Sequence, residues 1–526
     1  MSRFNTTSKG KSRTTNHVGA TTAFKQTAEM ELISILLTSF VQDSYYEKAN
    51  TQINRLSEVL GKVNPKFAAK AAVYARNEFG MRSISHVLSV ELVKYASGQP
   101  WAKNFFNEVV RRPDDMTEIV SYYFSKGNKK LPNSLKKGLA KAFDKFDRYQ
   151  LAKYRGENKD VSLIDVVNLV HPVPTQKNAD ALTALVKDEL KSVDTWEAKL
   201  SEAGKGKKND SEKNEAKAEA WKEMLESGKM PYFALLRNLR NIIEQAPELV
   251  DKACAILVNE KLIKGSLVLP FRFLSAYNEI EALKGTSSSK TIKFEKEGDN
   301  VTKVLSALEK AVRVSVVNLP ELAGNTVILS DNSGSMTGDR GGSSLISRLS
   351  NVKTSDIANL FAMLYWLRSE NTYVGLFGDR LIEPNLNREL GVFENFKIVD
   401  QEKNKCGGST EQGIFEFFRK AIKEKTHIDT LVVFSDCQIG DGCKWYGNGA
   451  STRSSDFNKL YEEYRRINPN FRVYSVDLKG YGTTVFNDSV FKLAGWSEKI
   501  FDIMKIMEQD RKALIRTIEN YTQFED

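Results

Sequence analysis

Cysteine and histidine are scarce, with four of each in 526 residues. Cys254, Cys406, Cys437 and Cys443 form no CxxC pair, and so few histidines could hardly complete a zinc shell. A zinc site is therefore not expected, and the thiols read as idle groups in a reducing compartment. No apolar run approaches the roughly 18–20 residues that span a bilayer. The N-terminus shows no hydrophobic core of a signal peptide, so a cytoplasmic protein is expected. Acid is missing from residues 1–28, where Arg3, Lys9, Lys11, Arg13 and Lys25 lie among Ser, Thr, Asn and Gly. That composition predicts a flexible basic arm able to attract phosphate. Also missing are a carboxylate-rich two-metal cluster and a nucleophile paired with histidine, which argues against a hydrolase and against an enzyme generally.

What is present is 41% hydrophobic and 10% aromatic residues, enough for a real core, in a chain long enough for two or three domains. The net charge of +10 points to a polyanionic partner if it is clustered. From about residue 29 to 315, short amphipathic helical patterns joined by short turns dominate, which predicts an α-helical repeat domain although no strict repeat is visible. Within it, Lys126 to Arg155 carries ten basic residues and two acids. A single helix over Leu135–Tyr154 would put Leu135, Leu139, Phe143 and Phe146 on one face. Lys137, Lys141, Lys145 and Arg148 would then line the opposite face. With almost no interleaved Glu these charges repel one another, and a phosphate-binding stripe is favoured over a merely solvated face.

The second half, 316–526, alternates strands and helices, as a doubly wound α/β sheet does. Its strand candidates are Asn325–Ser330, Tyr373–Phe377, Leu431–Phe434 and Arg472–Val476. The first runs into Asp331, followed by Ser333 and Ser335. The third runs into Asp436, and Gly407-Gly408-Ser409-Thr410 precedes a helix. Carboxylates and hydroxyls converging on the C-terminal edge of such a sheet are hard ligands, suited to Mg²⁺ first and Mn²⁺ second.

This set resembles the metal-ion-dependent adhesion site of von Willebrand factor type A domains. Asp331, Ser333 and Ser335 match its first motif, Thr410 (or Ser409) its second and Asp436 its third. Upstream, Met230-Pro231-Tyr232-Phe233-Ala234-Leu235-Leu236-Arg237-Asn238-Leu239 is similar to a characteristic segment of the TROVE domain, the module of the Ro autoantigen family. So are Asn259–Lys264, Leu269–Leu274 with Arg272, Lys153-Tyr154-Arg155, and Ser162–His171. The resemblance implies a monomeric ring of HEAT-like helical repeats closed by an A-type domain. It also implies small noncoding, Y-like RNA on a basic outer surface and single-stranded ends of misfolded RNA in a central hole, with an exoribonuclease as a possible partner. The family's positions map onto Lys153, Arg155 and His171 for the outer surface. Arg237 and Arg272 could contact RNA or serve structure, and His171 could equally cap a helix. The competing reading is a metal-dependent protein-interaction module with a helical scaffold and no RNA role.

Overall fold

A computed structural model describes residues 13–19, 23–42, 46–156, 159–190, 200, 210–228, 230–285, 294–316, 322, 324–338, 344–347, 350–408, 412–440, 443–445, 451–453, 457–487, 489–497, 499–507, 510, 512–522 and 524. The chain divides into two compact units. One comprises Met1–Lys62, Leu269–Ser275 and Ser315–Thr517, the other Val63–Val268, Ala276–Val314 and Ile518–Asp526.

The first unit is built on a six-stranded sheet. Its members are β3 (Thr326–Asp331), β4 (Thr372–Phe377), β5 (Leu381–Ile382), β6 (Thr430–Ser435), β9 (Arg472–Asp477) and β11 (Phe491–Ala494), in the order β11-β9-β6-β3-β4-β5. All neighbours pair parallel except β5, which runs antiparallel to β4. β3 and β6 are buried at every position, because helices cover both faces. One face carries Val327, Leu329, Leu431 and Val433 against Phe415, Phe418 and Tyr461. On the other, Phe434 stacks on Phe361, which meets Phe501 edge-on. From β3 the chain winds one way to β4 and β5, then crosses back to β6, β9 and β11. The direction therefore reverses between β3 and β6, and open α/β sheets bind ligands at such a point. A hairpin of β7 (Cys443–Trp445) and β8 (Ser451–Arg453) stands apart from this sheet.

The basic arm expected over 1–28 is corrected where the structure describes it. β1 (Arg13–Thr14) and β2 (Ala23–Lys25) pair antiparallel, and β2 pairs with β10 (Thr483–Thr484). The main-chain groups of this arm find partners in a sheet, which its side-chain composition could not announce. Thr27 then caps α1 (Ala28–Thr38), which is followed by α2 (Ala49–Leu60) in the same unit.

The second unit is helical. It begins with α3 (Pro65–Glu78), α4 (Ser83–Ala96), α5 (Ala102–Glu108), α6 (Pro113–Ser125), α7 (Asn133–Ala142), α8 (Arg148–Lys153), α9 (Leu163–Val170) and α10 (Ala179–Val186). The boundaries follow capping chemistry. Asn64 accepts from Lys66 N (2.8 Å) ahead of Pro65 at the start of α3. Ser162 and Asp165 form a capping box at α9. α7 meets α5 at Gly138, where an added Cβ would lie 2.5 Å from Phe106 Cβ. Further on, Phe294–Ser315 is one helix. Among the described residues no helix is long and apolar enough to cross a membrane.

Candidate metal centre and nucleic-acid interface

Asp331 ends β3, and the chain turns at once into a short helix over Gly334–Thr337. The turn is fixed from both sides. Asp331 Oδ1 accepts from Ser333 N (2.9 Å) and Asp331 Oδ2 accepts from Ser435 Oγ (2.6 Å). Behind it, the amides of Asn332 and Asn359 bond reciprocally (2.8 and 3.0 Å), and Ser330 Oγ donates to Asn359 (2.6 Å). Ser333 Oγ and Ser335 Oγ end 3.2 Å apart. Asp436 follows β6, and its Oδ1 accepts from Gln438 N (3.0 Å), while its Oδ2 is sealed from solvent with no hydrogen-bond partner. The sheet thus brings together Asp331, Ser333, Ser335 and Asp436. Thr410 and Ser409 lie outside the described residues, although the segment before them reaches the turn, where Gly408 O accepts from Gly334 N (2.9 Å).

Burial raises the pKa of both carboxyls, and at Asp436 the charge of Asp331 raises it further. Two sealed carboxyls, one with an orphaned oxygen, call for a proton or a cation. The donor set of carboxylate and hydroxyl oxygens fits a hard divalent ion. Among the described residues no group of three His, Cys, Asp or Glu side chains suits a metal, so any site here depends on the hydroxyls. Three neighbours escaped the sequence reading. Ser435 repeats before Asp436 the order Ser330-Asp331, and that doubled pattern was the available signal. Asp477 ends β9 as a third buried carboxylate, and it accepts from Lys479 N and Gly480 N (2.9 and 2.7 Å). Lys479 is itself buried, which pushes its ammonium down to about 8, with Asp436 opposing.

The basic segment of the helical unit is not one helix. α7 stops at Ala142, a 3₁₀ turn covers Phe143–Lys145, and Asp147 caps a new helix in a capping box with Gln150. The expected stripe therefore breaks. Lys137 and Lys141 are exposed one turn apart on α7. Lys145 turns inward, donating to Asn107 O and to Val110 O (2.9 Å), and burial pushes its amine down to about 8. Its placement as a phosphate ligand is corrected, because its amine is taken up by main-chain carbonyls at and just past the end of α5. Arg148 pairs at the surface with Asp180 (2.9 Å). Arg155 is mostly enclosed, donating to Leu190 O and Asp188 (2.6 Å). Lys153 and Arg112 both lie over the Tyr154 ring, at 5.8 and 4.6 Å, an aromatic between two cations that spacing alone did not reveal. His171 is exposed and closes α9 in the left-handed region (φ 51°). Arg237 is exposed beside Phe233, with its guanidinium 5.8 Å from the ring centroid. Arg272 lies over Phe271 (4.8 Å) and falls in the sheet unit, so Arg237 and Arg272 do not share a unit.

Comparison with known proteins places these residues. The family model of the TROVE domain matches residues 11–217 and 189–303. The chain belongs to the TROVE-domain family. Telomerase protein component 1 of Rattus norvegicus is 21% identical over 369 residues, covering 53% of this chain and 14% of that protein. Its counterpart in Mus musculus is 23% identical over 368 residues, with the same coverage. The match thus spans about one seventh of those relatives' length. The crystal structure of the Deinococcus radiodurans RO (RSR) protein superposes with a TM-score of 0.56 at 15% identity, covering 90% of this chain and 98% of that one. The likeness is one of fold. Within this TROVE-domain chain, Lys137, Lys141, Lys153, Arg155, His171 and Arg237 all lie inside the matched segments, as do β1 and β2.

Proposed function

We propose that this TROVE-domain chain is a Ro-type RNA-binding protein and not an enzyme. It would hold small noncoding, Y-like RNA on the surface that presents Lys137, Lys141, Arg148 and Lys153, and single-stranded ends of misfolded RNAs elsewhere on its HEAT-like helices. Its task would be quality control of noncoding RNA or delivery of RNA to an exoribonuclease. The observation that carries the reading is the coincidence of the TROVE match with the densest charge in the chain, Lys126 to Arg155. Such binding is led by phosphate contacts and weakens steeply with salt. RNA copurifying with the full chain tests it, measured as the absorbance ratio before and after RNase and then by sequencing. If nothing nucleic copurifies and no small RNA shifts the protein on a gel, the reading fails.

The sheet unit we read as a von Willebrand factor A-type domain, with Ser333, Ser335 and Thr410 contacting Mg²⁺ or Mn²⁺ and with Asp331 and Asp436 holding it partly through water. A bound ion would offer an open coordination position to an acidic group. In a second reading, the open coordination position of a bound ion takes a protein partner's carboxylate, and the two hydroxyls of Ser333 and Ser335, 3.2 Å apart beside the buried carboxylates, would hold that ion. Protein binding that EDTA abolishes while RNA binding persists would support it.

A further inference from the structure

Three rings from three distant stretches of the first unit meet beside the carboxylate pair. His17 stacks on Tyr46 (centroids 5.4 Å, interplanar angle 10°), and both meet the edge of Tyr481 (5.2 and 5.5 Å). The arrangement is fixed from below by buried charge. Arg55 forms a two-pronged pair with Glu47, next to Tyr46 (3.0 and 3.0 Å). It also binds Glu31 (3.1 Å) and donates to Gly480 O, next to Tyr481. Gly480 and Gly482 flank Tyr481 at φ +65° and +83°, and an added Cβ would lie 2.6 Å from Thr38 Oγ1 at the first and 2.8 Å from Glu31 Oε1 at the second. The loop therefore fits only as built.

A ring cluster serving the core alone would bury all its members. Here Tyr481 is buried and Tyr46 is half-buried, while His17 on top is exposed. Burial of its inner side pushes the imidazole below its usual pKa, with Glu47 opposing and Arg55 adding to the shift, which favours the uncharged ring. His17 N donates to Gln438 Oε1 (2.8 Å), and Gln438 N donates to Asp436 Oδ1 (3.0 Å). One buried residue, Gln438, thus links the main chain of His17, through its side-chain amide, to the Asp436 carboxylate, through its own main-chain N–H.

We propose that His17, Tyr46 and Tyr481 form a stacking platform for an unpaired RNA base, joined through Gln438 to the site at Asp436. The proposal rests on the RNA-binding reading. Preorganised rings suit bases of any identity, since each base has a π-face. Stacking of one base is worth about 1–3 kcal/mol, so its loss weakens binding about 5- to 150-fold.

The test uses the full chain and a short single-stranded polyadenylate oligonucleotide with 2-aminopurine replacing one adenine. Binding should quench its fluorescence at one or more substituted positions. His17→Ala should relieve the quench and weaken binding by the stated factor, while His17→Trp should keep both. His17 is exposed, so both variants should keep the folded circular dichroism spectrum, which separates loss of the platform from loss of the fold. Unchanged quench and affinity in His17→Ala overturn the platform, as does a wild-type chain that binds the oligonucleotide without quenching at any position. If the wild-type chain binds neither this oligonucleotide nor structured RNA, the broader RNA reading fails and the platform with it.

Discussion

Lys137, Lys141 and Lys145 are spaced alike in sequence, and the fold makes them different. Lys137 and Lys141 are exposed on α7, whereas the Lys145 amine lies on Asn107 O and Val110 O. Replacing Lys137 and Lys141 together by alanine should remove two phosphate contacts. Each contributes about 0.9 to the slope of log affinity against log salt on duplex RNA, or about 0.7 on a single strand. The double variant should therefore flatten the slope by about 1.4–1.8. Lys145→Ala should leave it unchanged and act on stability instead. It takes the donor from Val110 O, while Asn107 O keeps that of Val110 N, at a cost of roughly 1–3 kcal/mol, offset in part because the buried ammonium was itself unfavourable. A pH signature separates the two terms. Burial holds the Lys145 pKa at about 8 against an ordinary 10.5. Between those values the unfolded chain binds more protons than the folded one, so stability rises with pH. A neutral amine still donates to both carbonyls, so wild-type stability relative to Lys145→Ala should grow across this window. Fluorescence anisotropy with a small structured RNA over a KCl series gives the slopes, and urea denaturation gives the stabilities. A slope flattened as much by Lys145→Ala as by the double variant would refute the reasoning.

Three further outcomes are expected. Asp115 accepts from Arg76 (2.9 Å), Arg82 (2.7 Å) and the main-chain N–H groups of Arg111 and Arg112 (2.9 and 3.0 Å), with His86 at 3.1 Å. Burial works against its charge, yet His86, Arg76 and Arg82 hold its carboxyl well below the usual range. Asp115→Asn should cost about 3–5 kcal/mol in urea denaturation, since an amide NH₂ must face donors in either orientation. The depressed pKa contributes stability that is fully present above the unfolded value and drains away as pH falls from there towards the folded value, so the gap between wild type and variant should start to narrow near pH 5 and keep narrowing through about pH 3; a gap that widens is the contrary result. Mg²⁺ at about 100 times its dissociation constant should stabilise the wild-type chain by about 2.7 kcal/mol. It should do nothing for Asp436→Ala, and equal thermal shifts in the two would count against the metal site. Gly138→Ala gains about 1 kcal/mol of helix propensity. The new Cβ, however, would stand 2.5 Å from Phe106 Cβ and 2.7 Å from Lys103 O. Overpacking of that kind costs about 1–3 kcal/mol, so the variant should melt lower, and a higher melting temperature would contradict the close approach of α5 and α7.

Short-range chemistry was legible in the residues alone. Apolar runs ending in Asp331 and Asp436 announced two buried parallel strands and the edge on which their carboxylates meet, because burial on both faces leaves no other pattern. Asn64 and Ser162 mark helix starts, since a capping side chain and the main chain it serves lie within three residues; the capping box of Asp147 and Gln150 is just as local, yet the run Leu135–Tyr154 reads through it as one helix. The segments around Lys153 and Met230 carried the family. Long-range pairing was not legible. Nothing near Lys145 says that its amine will close a helix some 35 residues earlier. Nor does anything in the basic arm say that Ala23–Lys25 will pair with Thr483–Thr484. Asp477 and Lys479 join the carboxylates of β3 and β6 only once the strand order is fixed. Sequence by itself determined which residues could bind cations or phosphate. Tertiary structure decided which of them are left to do so, because a buried polar group must first be satisfied by its neighbours.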